Sequence, residues 1–433
     1  MKQDTVRRNG LAVTTHKFKV PLDYSKSKGK TIEVNAREVV ALKHVSEDLP
    51  YLLFLQGGPG FPCDYPIEFS TWVPPMLEKY RILFLDQRGT GRSAVINHQT
   101  LARFKTPQEQ ADYLKHFRAD SIVRDAEHIR KELIGNKTWS IIGQSFGGFC
   151  ACTYLSFAPE GLSEALLFGG LPPIGHSPQD VYRETYKQVL RYNGVYYQIY
   201  PQDIEQVRKI VDYLDNHDVR LPDGNRLSSR RFLQLGLEFG IRNSYDYIHH
   251  LVDTAFVRGK SGPELNFTFL KKVYESSSFE TNPIYTLLHE AIYCEGRSSR
   301  WAAYRMLGEF PEFKMDPNQA VYFTGEMIYP WMFDEYNCLK PLKEAAEILA
   351  AYEDWPKLYD PAVLSKNDVP SAATIYYNDM YVARRFAKET AKNIKGMKVW
   401  ITNEYYHSGL RDSDGAEVVK KLWELLHGEA EMN

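Results

Sequence analysis

Trp139-Ser140-Ile141-Ile142-Gly143-Gln144-Ser145-Phe146-Gly147-Gly148 runs straight into the helical pattern FGGFCACTYLSFA (146–158). A short apolar run, the turn G-x-S-x-G and a helix follow one another without a spacer. Glycines on both sides of a serine permit a sharp strand-to-helix turn that lifts the hydroxyl above a sheet edge. The helix start behind it offers unpaired backbone N–H groups and positive dipole to an oxygen that gains negative charge. Ser145 is therefore the candidate nucleophile, and the N–H of Phe146 one candidate oxyanion donor.

The chain on either side repeats this layout. LLFLQ (52–56), RILFLDQ (81–87), SIIGQ (140–144) and EALLFGG (164–170) are continuous apolar runs ending in turn residues. Such runs fit parallel strands covered on both faces. SIVRDAEHIRKELIG (121–135) lies between two of them, with a helical stripe at Ile122, Val123, Ala126, Ile129 and Leu133 and a capping Gly135. Strand and helix in alternation predict an α/β fold with a mostly parallel sheet. Upstream, HKFKVPLDY (16–24) and KTIEVNAREVVAL (30–42) alternate apolar and polar residues, which predicts antiparallel N-terminal strands.

From about residue 175 to 368 the rhythm changes. QDVYRETYKQVLRY, DIEQVRKIVDYLDNH, RRFLQLGLEFG, NPIYTLLHEAIYCEG and PLKEAAEILAAYE read as successive helices with no strand pattern. The α/β pattern returns at PSAATIYYND (370–379) and KVWITNEYYH (398–407), before a last amphipathic helix, AEVVKKLWELLHG. The predicted organisation is one core, residues 1–175 and 370–433, interrupted by a large helical insertion, residues 176–369.

Composition narrows the function classes. Of 433 residues, 43% are hydrophobic and 25% charged, which excludes a disordered or fibrous chain. With 53 Lys and Arg against 55 Asp and Glu, the net charge of -2 gives no bulk attraction to nucleic acid or an anionic membrane. The apolar runs are strand-sized, far below a membrane span. Five cysteines make no disulfide framework, and no apolar stretch follows the basic N-terminal residues, so the expectation is a cytoplasmic protein.

Gln56-Gly57-Gly58-Pro59-Gly60 closes an earlier strand, where a glycine N–H can face the nucleophile; Gly58 is the expected second oxyanion donor. Asp86-Gln87-Arg88-Gly89-Thr90-Gly91-Arg92-Ser93 lacks the G-x-x-x-x-G-K-[ST] phosphate pattern, and Asp–Arg pairing in a buried strand-end loop is expected instead. With the order serine, acid, histidine, the remaining partners come late in the chain. His407 closes the last predicted strand, and Asp379 ends the strand before it. Asp368 competes as the acid but precedes its strand. His289-Glu290 opens like H-E-x-x-H, yet Tyr293 stands where the second histidine belongs, so no metal site is expected there. No cofactor is expected.

Taken together, QGGPG (56–60), DQRGTGRS (86–93), GQSFGG (143–148), YYNDMYV (376–382) and TNEYYHSGLR (402–411) resemble the proline iminopeptidase (prolyl aminopeptidase) family of α/β-hydrolases. LHEAIYCEG (288–296) and FTGEMIYPWMF (323–333) extend the resemblance into the insertion, so the match is to its large-cap members. Shorter members usually have histidine where this chain has Gln56. The resemblance implies a serine exopeptidase that releases proline from short peptides with a free N-terminal proline. It implies that residues 176–369 form a cap for substrate recognition. It also implies cap glutamates for the substrate amine, here Glu290 and Glu326. Gly57, Tyr293 and Trp331 are further expected substrate contacts, with Phe146 and Tyr329 available for an aromatic wall. A capped hydrolase for esters, lactones or epoxides, and a catalytically silent binding protein, are the competing expectations.

Overall fold

In the computed structural model, which describes residues 4–26, 28–63, 71–260, 262–276 and 278–428, the apolar runs become neighbouring strands of one sheet. Its strands are β1 (Asp4–Arg8), β2 (Leu11–Pro21), β3 (Thr31–Ala41), β4 (Tyr51–Leu55), β5 (Arg81–Leu85), β6 (Trp139–Gln144), β7 (Leu162–Phe168), β10 (Ser371–Tyr376) and β11 (Met397–Thr402). Their spatial order is β1-β2-β3-β5-β4-β6-β7-β10-β11. β1, β2 and β3 pair antiparallel, and β3 pairs antiparallel with β5; the six strands from β5 to β11 are parallel.

The continuous apolar runs follow from coverage on both faces. In β4, Leu53 and Leu55 join one buried cluster with Leu83, Leu85 and Ile141, packed on residues of the helix Ala119–Ile134. Leu52 and Phe54 join the opposite cluster with Ile82, Phe84 and Ile142, covered by Val418, Val419 and Leu422 of the helix Gly415–His427. Successive residues of a strand point to opposite faces, so every position must be apolar.

The chain leaves the sheet after β7 and returns at β10. Between them lie helices that include Pro178–Ile199, Asp203–Asn216, Pro283–Leu288 and Lys343–Ala351. Two elements depart from the expectation. β1 is a third antiparallel N-terminal strand, exposed along its whole length, so it carries no apolar alternation. The insertion also holds a small hairpin, β8 (Phe256–Gly259) with β9 (Gly262–Leu265). The DQRGTGRS loop is built as a structural turn, but its Asp and Arg pair elsewhere. Asp86 faces Arg37 at 3.3 Å and accepts the N–H groups of Cys63 and Arg92, while buried Arg88 grips Asp125 through two bonds of 2.7 and 2.5 Å. Among the described residues no helix is long and apolar enough to cross a membrane.

The site's position follows from the strand order. β4 and β6 are neighbours although the chain visits β5 between them, so the connections leaving them diverge to opposite sides. A crevice opens outside the carboxyl ends of strands at such a switch point. Gly57 and Gly58 follow β4, Ser145 follows β6, Asp379 follows β10 and His407 follows β11.

Candidate active site

Ser145 sits at φ 55 and ψ −124, a strained conformation for a residue with a side chain. Its N–H donates to Phe168 O at 2.9 Å, extending the β6–β7 ladder, and Gly148 N–H donates back to Ser145 O at 2.8 Å. The flanking glycines are dictated by space. A Cβ on Gly147 would lie 1.9 Å from Leu55 O, and one on Gly143 2.3 Å from Gly147 O. The helix Phe146–Phe157 can therefore enter against β4 only without side chains at those positions.

His407 Nδ1 lies 2.7 Å from Asp379 Oδ2. The other oxygen of Asp379 accepts the N–H groups of Tyr381 at 2.8 Å and Val382 at 2.9 Å, which fixes the carboxylate's orientation. The Tyr381 ring meets the His407 ring edge-on at 4.8 Å. Burial pushes the His407 pKa down, but the Asp379 carboxylate outweighs it and leaves the imidazole above its ordinary value. Asp368 is far from this role, paired with Lys395 at 2.6 Å and largely exposed.

Ser145 and His407 line one cavity of about 250 Å³, together with Gly57, Gly58, Phe61, Leu237, Glu238, Ile241, Tyr285, Glu326, Tyr381 and Arg411. A Cβ on Gly57 would lie 3.2 Å from Ser145 Cβ, so this backbone borders the nucleophile directly. Gln56 braces the turn: its Oε1 accepts the Gly57 N–H at 3.1 Å and an Arg411 N–H, and its amide donates to Pro62 O at 2.8 Å. Gly57's N–H is thus engaged, whereas Phe146, first in its helix, has an N–H with no intrahelical acceptor.

The two nominated glutamates part company. Glu326 lines the cavity. Its Oε1 accepts the Tyr285 O–H at 2.5 Å and lies 3.5 Å from His289 Nε2. Burial pushes its pKa up, yet His289 and the Tyr285 hydroxyl more than offset this and hold the carboxyl below its usual range. Glu290, expected to bind substrate, is not among the residues that line the cavity. Its two oxygens accept the N–H groups of Ala302 at 3.0 Å and Ala303 at 2.9 Å, capping the helix Ala302–Leu307. Burial nevertheless pushes its pKa up.

Neither Tyr293 nor Trp331 lines the cavity. Tyr293 packs against Phe149 and Tyr182, with ring centroids at 6.1 and 6.2 Å. Trp331 stacks on Tyr329 at 5.7 Å beneath the Arg230 guanidinium. Phe146 is buried beside Phe149 in the core. These aromatics pack protein, and the cavity wall is Phe61, Leu237, Ile241, Tyr285 and Tyr381 instead.

Sequence reasoning missed Glu238, Tyr285, Tyr381 and His289. Tyr285, His289 and Tyr293 stand four residues apart, and that spacing marks one helical face. Glu238 is a carboxylate on the cavity wall whose pKa burial pushes up. The segment carrying Tyr285 and His289 is tied to the core by buried Arg118, which donates to Ala291 O, Cys294 O and Pro356 O at 2.6–2.8 Å.

Residues 50–220 match the family model for the alpha/beta hydrolase fold. The chain is 44% identical over 418 residues to a proline iminopeptidase of Aeromonas sobria, covering 96% of this chain and 97% of that one. It is 39% identical over 422 residues to proline iminopeptidase aneH of Aspergillus aculeatus, covering 94% and 92%. Among solved structures, a proline iminopeptidase-related protein of Thermus thermophilus overlays with a TM-score of 0.42 at 15% identity, covering 96% and 99%. With relatives this similar along nearly its whole length, the chain belongs to the proline iminopeptidase family of the α/β-hydrolase fold.

Proposed function

We propose that the protein is a serine aminopeptidase that releases N-terminal proline from short peptides, with Ser145, His407 and Asp379 as its catalytic residues. The observation that carries this reading is a single cavity joining a Ser145 elbow and an Asp379-held His407 to the buried carboxylate Glu326. Residues 1–175 and 370–433 would act as the catalytic core and residues 176–369 as the cap. In support, the cavity takes Gly57, Ser145 and His407 from the former and Leu237, Glu238, Tyr285 and Glu326 from the latter. Cytoplasmic residence is part of the same proposal; Cys150, Cys152, Cys294 and Cys338 are unbridged thiols.

His407 Nε2 takes the Ser145 hydroxyl proton as Oγ attacks the carbonyl carbon of the first residue. The oxyanion settles against the N–H groups of Gly58 and Phe146. As the intermediate collapses, the imidazolium returns its proton to the leaving amine and an acyl ester remains on Ser145. Water, activated by the same imidazole, releases proline. Esters, lactones and epoxides carry no ammonium, whereas Glu326 sets a buried carboxylate in the same cavity as Ser145 and His407, where a substrate ammonium can pair with it. Glu326 therefore favours the aminopeptidase over the general hydrolase reading.

An N-terminal residue panel tests it. Chromogenic amides of proline, alanine and leucine, an N-blocked proline amide and simple esters are compared, with Ser145→Ala as control. Proline amide is expected to lead in kcat/KM, and preference for the blocked peptide or an ester would overturn the reading.

The pH profile is a second test. Catalysis needs neutral His407, and Asp379 holds its pKa above the ordinary imidazole value of about 6.5. Activity should rise as pH climbs through that raised value, and fall as the substrate amine loses its proton near about 8. Asp379→Asn is expected to move the acid limb downward and lower kcat by about 10⁴-fold. A flat kcat/KM from pH 5 to 9 would count against both groups.

A further inference from the structure

We propose that Tyr285 and His289 set a preference for a secondary over a primary ammonium by filling one oxygen of Glu326. The inference rests on the reading that Glu326 holds the substrate amine. That amine is two bonds from the carbonyl carbon that Ser145 attacks, so it must lie beside Ser145 and His407. Glu326 and Glu238 both line the cavity, and Glu326 is the one whose carboxylate the Tyr285 hydroxyl holds in place.

A carboxylate normally offers both oxygens to an ammonium. Here Oε1 of Glu326 accepts the Tyr285 hydroxyl at 2.5 Å and faces His289 Nε2 at 3.5 Å. His289 Nδ1 meets the Tyr182 hydroxyl at 3.1 Å, which fixes the ring with Nε2 facing Glu326. The Tyr285 hydroxyl thereby occupies Oε1 and the His289 ring crowds it from the other side, so an incoming ammonium reaches Glu326 through Oε2. A protonated proline nitrogen carries two N–H bonds, so one remains to be placed after Oε2 is met. A protonated primary amine carries three, so two remain. A charged N–H without an acceptor in a buried site is penalised, and a site built around polar groups rejects a mismatched donor count more strongly than a missing methylene. Proline selection would then lie in hydrogen-bond count as well as in ring shape.

The experiment compares kcat and KM for proline, alanine and N-methylalanine amides carrying one leaving group, on the unmodified protein, Tyr285→Phe and His289→Phe. N-methylalanine has a secondary amine without the ring, so it separates donor count from shape. The unmodified protein is expected to treat N-methylalanine more like proline than like alanine. Tyr285→Phe opens Oε1, and the N-methylalanine-to-alanine and proline-to-alanine ratios should both fall about tenfold, through a lower KM for alanine. His289→Phe keeps ring contacts with Tyr285 and Tyr293 and should shift the ratios the same way by less, because its contact is longer. Ratios within one variant are insensitive to partial loss of folded protein. The inference is overturned if the unmodified protein does not favour N-methylalanine over alanine, or if Tyr285→Phe lowers all three substrates by one factor. If Glu326→Gln leaves proline cleavage intact, the amine assignment itself is what has failed.

Discussion

Ser145→Ala is expected to lower kcat on a proline amide by about 10⁶-fold, and adding His407→Ala should cost little more. In the proposed mechanism the two side chains act as one device. Without Oγ there is no nucleophile for the imidazole to deprotonate, and without the imidazole the hydroxyl is too weak to attack. Residual turnover would come from the oxyanion donors and from substrate binding, which neither change removes. KM should hardly move, since Ser145 contributes little to ground-state binding. Single and double variants are compared by progress curves at high enzyme concentration, with near-ultraviolet circular dichroism to show an intact fold. Multiplicative losses in the double variant would mean that the two groups act independently, and the Ser145–His407 mechanism would fall. Alanine at 145 must still occupy φ 55, and it does so without a side chain needing the crevice.

The elbow was legible because its residues are forced by contact distances. Gly143 and Gly147 are dictated by carbonyl oxygens that would lie within about 2 Å of a side chain, so the pattern survives in the one-dimensional sequence. The parallel strands were legible for a similar reason: with both faces of β4 and β5 covered, polar residues are excluded and the apolar run is continuous. β1 has neither constraint. It is exposed throughout and is held by backbone pairing to β2, which leaves no trace in side-chain pattern. Asp379 and His407 each lie in the loop just past a strand of the sheet, three residues beyond Tyr376 and five beyond Thr402, so strand ends in the sequence point to them.

The residues of the helical insertion were harder for a physical reason. A motif tells which glutamates are nearby but not which oxygens are free. Glu290 is one residue from His289, yet its carboxylate is consumed by backbone N–H groups twelve and thirteen residues further on. Tyr293 and Trp331 are aromatic residues near the site in sequence whose rings fill gaps between other rings. Glu238 enters the cavity wall from a segment that Tyr381 secures by its hydroxyl to Leu237 O, a contact across 144 positions that no local pattern announces.

Glu326→Gln and Glu290→Gln should therefore fail in different ways. Glutamine keeps the shape of Glu326 and removes the charge that would face a substrate ammonium. Loss of one buried, charge-assisted pairing of about 3 kcal/mol corresponds to a fall in kcat/KM on proline amide of about 100-fold. The fall should sit mainly in KM, and an acetate ester, which has no amine, should be hydrolysed within a few-fold of the unmodified rate. In Glu290→Gln the amide oxygen can still accept one N–H from Ala302 or Ala303, but the amide nitrogen then confronts the other donor. That mismatch in a buried cap should cost about 1–3 kcal/mol of stability and leave KM for proline amide unchanged. Thermal unfolding and steady-state kinetics on the two variants read both quantities. A raised KM in Glu290→Gln with an unaltered Glu326→Gln would transfer the amine to Glu290, and would require the helix at Ala302 to give up its cap when substrate binds.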